Sequence, residues 1–193
     1  LSFNKYEFVK LSKAVSHALR HEPWLYELEL DEQGWVLIKD LLTALRSHQL
    51  EWNNLNQDDI AQMIVTSSKK RHEINGNHIR ALYGHSVPGK LLKKKAEPPE
   101  QLYHGTSSSI LNRIMESGLL PMGRQFVHLS VNIDIAEQVG RRKDEQPAIL
   151  LIAAKEAYAK GINFYVGNDT VWLADNIPAE FISRSRMGAG LVK

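Results

Sequence analysis

Near the middle of this 193-residue chain, residues 87–101 read VPGKLLKKKAEPPEQ, a stretch with three prolines, a run of charges and no apolar period. Neither a helix nor a strand can run through such a segment, so whatever folds on either side must close a core of its own. With 43% hydrophobic side chains, the chain is long enough for two small cores. The expected organisation is therefore a first lobe over residues 1–87, a linker over 88–100, a second lobe over 101–183, and a tail over 184–193. RSRMGAGLVK at the end has neither period nor bulk.

The two halves are patterned differently. In the first, Phe8, Leu11, Val15, Ala18 and Leu19 recur at helical spacing, which predicts an amphipathic helix over 5–21 stopped before Pro23. A turn at 31–34 leads to a short strand at 35–38. Helices follow over 39–47, with Leu41, Leu42 and Leu45 inward, and over 58–66, with Ile60, Met63 and Ile64 on the apolar face. Arg71-His-Glu-Ile and Asn77-His-Ile-Arg then flank Asn75-Gly76, a strong hairpin signal. Helix, strand, two helices and a hairpin is the order of a winged-helix domain, though fold analogy alone assigns no function.

The second half predicts strands at 102–106, 126–129, 148–153, 171–173 and 181–182. Helices fit between them at 108–116, ended by Gly118, at 132–140, and briefly at 155–160, closed by Gly161. The fold class expected overall is α+β in two lobes, the second rich in β-structure.

Composition excludes several chemistries. There is no cysteine, which removes disulfides, thiolate nucleophiles and cysteine zinc sites. The eight histidines form no HExxH pattern and no close pair beside a carboxylate, so no metal is expected. No apolar run approaches the roughly 20 residues of a membrane span, and charged residues at helical spacing near the start argue against a signal peptide. A cytoplasmic protein is expected. Even charge and the absence of a heptad point to a monomer. Net charge is only +2, with 14 basic against 13 acidic residues in positions 1–100 and 10 against 9 in the remainder. Non-specific coating of nucleic acid is not implied, but a local cluster such as Lys69-Lys70-Arg71 can still grip a few phosphates. For Lys93 to Lys95 alone, a solvated face is the preferred reading.

Four short patches carry arginine or histidine in order: LRH at 19–21, SKKR ending at Arg71, YHGT at 103–106, and MGRQFVHLS at 122–130. Together they supply cations and imidazoles without one obvious catalytic carboxylate, as expected if the substrate is a phosphate that brings its own nucleophilic oxygen. Taken singly, each has an ordinary structural explanation. Arg20 and His21 would complement a helix dipole, worth about 0.3–1 kcal/mol each, and a histidine in YHGT is more often a hydrogen-bonded structural residue.

In register they say more. SKAVSHALRHEP, DEQGWVLIKDLL, SSKKRHEI, HIRALYGHS, LYHGT, MGRQFVHLS and VWLADNIPAEFI together resemble the successive signature blocks of the NAD-dependent RNA 2′-phosphotransferases, the family that includes the tRNA-splicing enzymes, over about residues 5–182. The resemblance implies an N-terminal winged-helix lobe that holds RNA and a C-terminal lobe with the ADP-ribosyltransferase fold that holds NAD. It also implies a reaction in the cleft between them, transfer of an internal 2′-phosphate from RNA to NAD. The products would be 2′-OH RNA, nicotinamide and ADP-ribose 1″,2″-cyclic phosphate.

By the same resemblance the catalytic set falls on Arg20, His21, Arg71 and Arg124. NAD contacts fall on His104, Gly105, Thr106, His128, Ser130 and Arg142, and RNA contacts on Lys69, Lys70, Arg80, His85 and Ser86. The position where many protein ADP-ribosyltransferases keep a catalytic glutamate aligns with Val171, which argues against ordinary protein ADP-ribosylation. The chain departs from the family pattern at Tyr83, where glutamine is usual, at His72, where phenylalanine is common, and in the segment after Arg142. Two other readings stay open at this point: NAD-dependent ADP-ribosylation of terminal phosphates on nucleic acid, and a non-catalytic winged-helix nucleic-acid binder.

Overall fold

The computed structural model describes residues 4–185. The chain divides into two compact units, Leu1–Leu92 and Lys93–Lys193. The first unit opens with α1 (Lys5–Arg20), started by a capping box in which the Asn4 side chain accepts from the main chain of Tyr6 and Glu7 and Glu7 bonds back to Asn4. One face of α1 is fully buried through Leu11, Val15, Ala18 and Leu19, at about 1.5–3 kcal/mol for each large side chain. The helix ends at His21, and Pro23 begins a single 3-10 turn, Pro23–Tyr26.

Next come β1 (Trp35–Leu37), α2 (Ile38–His48) and α3 (Gln57–Thr66), the last opened by a second capping box on Asn56 and Asp59. β2 (His72–Asn75) and β3 (His78–Ala81) form the hairpin, with Gly76 at a φ of 57° in its turn. β3 lies between β1 and β2 in a three-stranded antiparallel sheet. Ile38, Leu41, Leu45, Leu55, Ile60, Met63 and Ile79 complete the core with the buried face of α1.

The second unit contains β4 (Leu102–Thr106), α4 (Leu111–Ser117), β5 (Val127–Ser130), α5 (Ile133–Gly140), β6 (Ala148–Ile152), α6 (Ala154–Ala159), β7 (Phe164–Asn168), β8 (Val171–Ala174) and β9 (Ile182–Arg184). The strands make one antiparallel sheet in the order β7-β8-β5-β4-β6-β9. Pairing across it is uneven: β4 meets β6 at five positions and β5 meets β8 at four, but β4 meets β5 at Tyr103↔Ser130 alone. The sheet is thus two three-stranded halves joined at a seam.

Mixed α and β structure with antiparallel sheets matches the expected class. The boundary between the units, Leu92/Lys93, falls inside the expected linker 88–100, and each end of that segment is bonded to its own unit: Leu91 lies against Gly34, the Leu92 N–H donates to the Glu32 carbonyl, Lys95 forms a bridge with Tyr165, and the Ala96 N–H donates to the Phe164 carbonyl. Two expectations need correction. β7 was not anticipated, because Phe-Tyr-Val is too short a run to separate from a loop. Finally, β9 extends to Arg184 and Ser185 donates to Ile149, so the expected tail at 184–193 starts in structure; residues 186–193 lie outside the described residues.

Gly105 has a structural role besides the one its motif suggests. A Cβ there would stand 1.8 Å from the Ala136 carbonyl oxygen of α5 and 3.0 Å from the Gly140 nitrogen. The glycine is what lets α5 lie directly on β4. Gly105→Ala should therefore destabilise the chain by about 3 kcal/mol or more, while Gly123→Ala, whose Cβ would meet nothing within 4 Å, should unfold at the wild-type denaturant midpoint.

Candidate active site

At the C-terminal end of α1, the sequence brings a cation and an imidazole to the point where three separate segments meet. Arg20 is buried, 9% exposed, and its Nη2 donates to the main-chain carbonyl of Arg71 at 3.2 Å. The same carbonyl accepts from the Leu82 N–H at 2.9 Å, so SKKR and the exit of β3 share one acceptor. The Arg20 guanidinium lies 5.2 Å from the centre of the Tyr83 ring, a cation–π distance. Gly84, at φ 88°, passes close beneath it, because a Cβ there would sit 3.4 Å from Nη1.

His21 follows at the helix cap. Its Nδ1 is 2.8 Å from the Ser86 hydroxyl, and the Ser86 N–H donates to the Arg20 carbonyl at 2.9 Å. Its ring is tilted against His17 at 6.2 Å, and His17 in turn pairs with Glu22 at 2.9 Å. Thus Arg20, His21, Arg71 and Ser86 are brought together. His85 is buried at 2% exposure. Lys69 is half-buried, with its carbonyl bonded by the Ser67 hydroxyl, and Lys70 is exposed.

Arg80 is differently engaged. Its guanidinium pairs with Glu73, stacks 4.4 Å from the Trp35 ring centre and reaches the Gln33 carbonyl. These contacts brace the hairpin against β1 and the turn before it.

In the second unit the seam between β4 and β5 organises the residues. Beyond Tyr103↔Ser130 the strands make no further pair, and a side chain spans the gap: His104 Nδ1–H donates to the main-chain carbonyl of His128 at 2.9 Å. A carbonyl can only accept, so Nδ1 carries the proton and Nε2 is an acceptor. Burial first, opposed by that bond and reinforced by the nearby Lys143 ammonium, holds the His104 pKa below its ordinary 6.5. His104 is a neutral imidazole near pH 7.

Thr106 and Ser130 are buried hydroxyl residues, 5% and 7% exposed. Arg124 sits on an exposed turn, its N–H donating to the Pro121 carbonyl, and its Nη1 lies 3.4 Å from His128 Nε2. The seam therefore gathers His104, His128 and Arg124, with Ser130 at its closed end opposite Val171 of β8. Arg142 is exposed, beside the reverse turn after α5.

Two residues near this seam escaped sequence reasoning. Asp144 accepts from the Ser108 N–H at 2.8 Å and the Ser107 hydroxyl at 3.0 Å, and these bonds, the Ser108 N–H foremost, hold its carboxyl below the usual carboxylate range. That latch ties the segment after Arg142 to the end of β4 and brings Lys143 towards His104. Nothing in Lys-Asp-Glu signals such a contact locally. Among the described residues, no three of His, Asp and Glu gather where they could hold a metal ion, and no helix is long and apolar enough to cross a membrane.

Comparison with known proteins converges on one family. Residues 6–176 match the model described as RNA 2′-phosphotransferase, Tpt1/KptA family. A protein of Bacillus thuringiensis subsp. konkukian named "Probable RNA 2′-phosphotransferase" is 56% identical over 182 residues, 93% of this chain and 97% of that protein. Proteins with the same name from Acetivibrio thermocellus and Pyrococcus horikoshii are 51% and 38% identical, covering 91% and 90% of this chain and 96% and 97% of their own lengths.

His72, one of the departures noted in the sequence, is a buried neighbour of this arginine corner. It is 3% exposed, with Nε2 3.0 Å from the Ser16 hydroxyl, and burial, then the charges of Arg20, Arg71 and His85, lower its pKa from 6.5 to about 3. Between those values the unfolded chain binds the proton and the folded chain does not, so stability is held above 6.5 and lost as pH falls towards 3. His72 alone should contribute a slope of up to about 1.4 kcal/mol per pH unit in that window. Denaturant titrations across that window should show this slope in the wild type, and a Ser16→Ala/His72→Phe double variant should lose that share of it.

Proposed function

The chain belongs to the RNA 2′-phosphotransferase family, and from that premise we propose that it removes an internal 2′-monophosphate from RNA, of the kind left at a tRNA splice junction, by transfer to NAD. In this reading the first unit is a winged-helix RNA-binding lobe with the β2–β3 hairpin as its wing, and the second is an ADP-ribosyltransferase-like lobe that binds NAD. The order of α1, β1, α2, α3, β2 and β3, with β3 central in its sheet, supports the first assignment. The observation that carries the reading is the convergence of Arg20, His21 and Arg71 on one corner of the first unit.

The chemistry asks for what these residues supply. In the first step a 2′-phosphate oxygen attacks the anomeric carbon of the NAD ribose as nicotinamide leaves. The phosphate is already ionised, so positioning matters more than a general base. Arginine is suited to that task, because its planar fork binds two oxygens and stays charged. In the second step the ribose 2″-hydroxyl attacks phosphorus and the RNA 2′-oxygen departs, so phosphoryl charge must be held and a proton moved. Arg71 and Arg124 would stabilise the charge, and His21 would move the proton.

The seam of the second unit suits NAD. His104, neutral and with Nε2 as an acceptor, can take a bond from a ribose hydroxyl. The Thr106 and Ser130 hydroxyls and the exposed cation of Arg124 add polar contacts at the same sheet. Gly105 also admits α5 against β4.

Incubation with a 2′-phosphorylated oligonucleotide and NAD should remove the phosphate and release one nicotinamide per phosphate transferred. A phosphate that persists, with no nicotinamide formed, overturns the reading. Arg124→Ala and Arg71→Ala should each lower turnover by about 100-fold or more. Because Arg124 is exposed, its variant should keep the wild-type unfolding midpoint, which separates lost chemistry from lost structure.

A further inference from the structure

We infer that Ser86 is the positioning residue of His21: its hydroxyl accepts from Nδ1–H and so keeps Nε2 as the nitrogen that exchanges a proton with the substrate. The inference rests on the reading above for the reaction, but its physical content lies in the first unit alone. Two bonds support it. The Ser86 N–H donates to the Arg20 carbonyl at 2.9 Å, fixing this residue against the end of α1, and the Ser86 hydroxyl lies 2.8 Å from His21 Nδ1. A short loop thus grips consecutive residues of the helix end, one through the main chain and one through the side chain.

The placement matters because α1 has ended at this point. Arg20 is the last helical residue and His21 its cap, at φ −118° and ψ −57°, so the main chain alone does not fix where the imidazole points. The preceding turn of β3's exit is itself anchored. Leu82 bonds the Arg71 carbonyl, the Tyr83 ring lies on the Arg20 guanidinium, and Gly84, at φ 88°, lets the chain pass that guanidinium. Ser86 is therefore delivered to His21 by a segment already fixed at several points. Its sequence block alone suggested a contact with RNA; its bonds instead give it a partner within the protein.

The proton balance is simple. As the ribose 2″-oxygen bonds to phosphorus, its proton passes to Nε2. As the bond from phosphorus to the RNA 2′-oxygen breaks, that oxygen takes the proton back from Nε2. Nδ1–H stays on the imidazole throughout and donates to Ser86 in both the neutral and the charged state. The charged and titratable groups near this imidazole include His17, at 6.2 Å between ring centres, Glu22, which pairs with His17, and Arg20 beside it. His17 and Glu22 are left unchanged in the test so that the field they set is constant.

Ser86 is exposed, so Ser86→Ala should fold as the wild type does. Two measurements on Ser86→Ala and Ser86→Thr decide the matter. In nitrogen-15 spectra of the full chain, neutral His21 should carry its proton on Nδ1 in the wild type, shift towards the Nε2–H form in Ser86→Ala, and return in Ser86→Thr. With 2′-phosphorylated RNA and NAD, Ser86→Ala should lose about tenfold in kcat with little change in KM, shift the His21 limb of the pH profile, and be rescued by Ser86→Thr. A raised KM for RNA with unchanged kcat and unmoved His21 resonances makes Ser86 an RNA ligand and overturns the inference. If the wild type has no activity, the functional reading fails, and the tautomer measurement still decides the Ser86 bond by itself.

Discussion

The first unit is organised around the burial of one cation. A guanidinium taken out of water costs several kcal/mol unless its donors and charge are answered, and main chain and aromatic surface both contribute to answering Arg20. That choice has structural consequences. The Arg71 carbonyl must point inward, which fixes the entry to the β2–β3 hairpin; Tyr83 must lie over the guanidinium; and position 84 must lack a side chain.

The same economy explains His72. Beside two arginines an imidazole can stay buried only as the neutral form, and the Ser16 hydroxyl provides a bond that form can keep. Phenylalanine would fill the space without that requirement. The substitution is therefore tolerated in structural terms, at the cost of a pH dependence that phenylalanine would not bring.

Legibility in the sequence followed the range of the interactions. Buried faces such as Leu11, Val15, Ala18 and Leu19 on α1, and the Asn75-Gly76 turn, are local signals and were readable. So were the strands β4, β5, β6 and β8, each marked by apolar residues bounded by turn formers. β7 was missed, since its membership depends on pairing with β8 rather than on its own composition. The bonds that tie the segment 88–100 down were not legible for the related reason that Leu92, Lys95 and Ala96 gain partners far away in the chain. At the candidate site, the motifs proposed residues, but could not say that Gly105 faces a helix, that Arg80 pairs with Glu73 and stacks on Trp35, or that Asp144 latches Ser107 and Ser108.

His104 and His21 differ in one physical respect. His104 bonds a carbonyl, an acceptor that can never donate, so its tautomer is fixed and burial disfavours its charge. Such an imidazole is a good hydrogen-bond acceptor and a poor proton shuttle. His21 Nδ1 faces a hydroxyl on the exposed side of its unit, and a hydroxyl, unlike a carbonyl, can either accept or donate. One imidazole is thus suited to holding a ligand and the other to moving a proton. The resemblance assigns the two histidines different roles, and the partner opposite each Nδ1 is the physical difference between them.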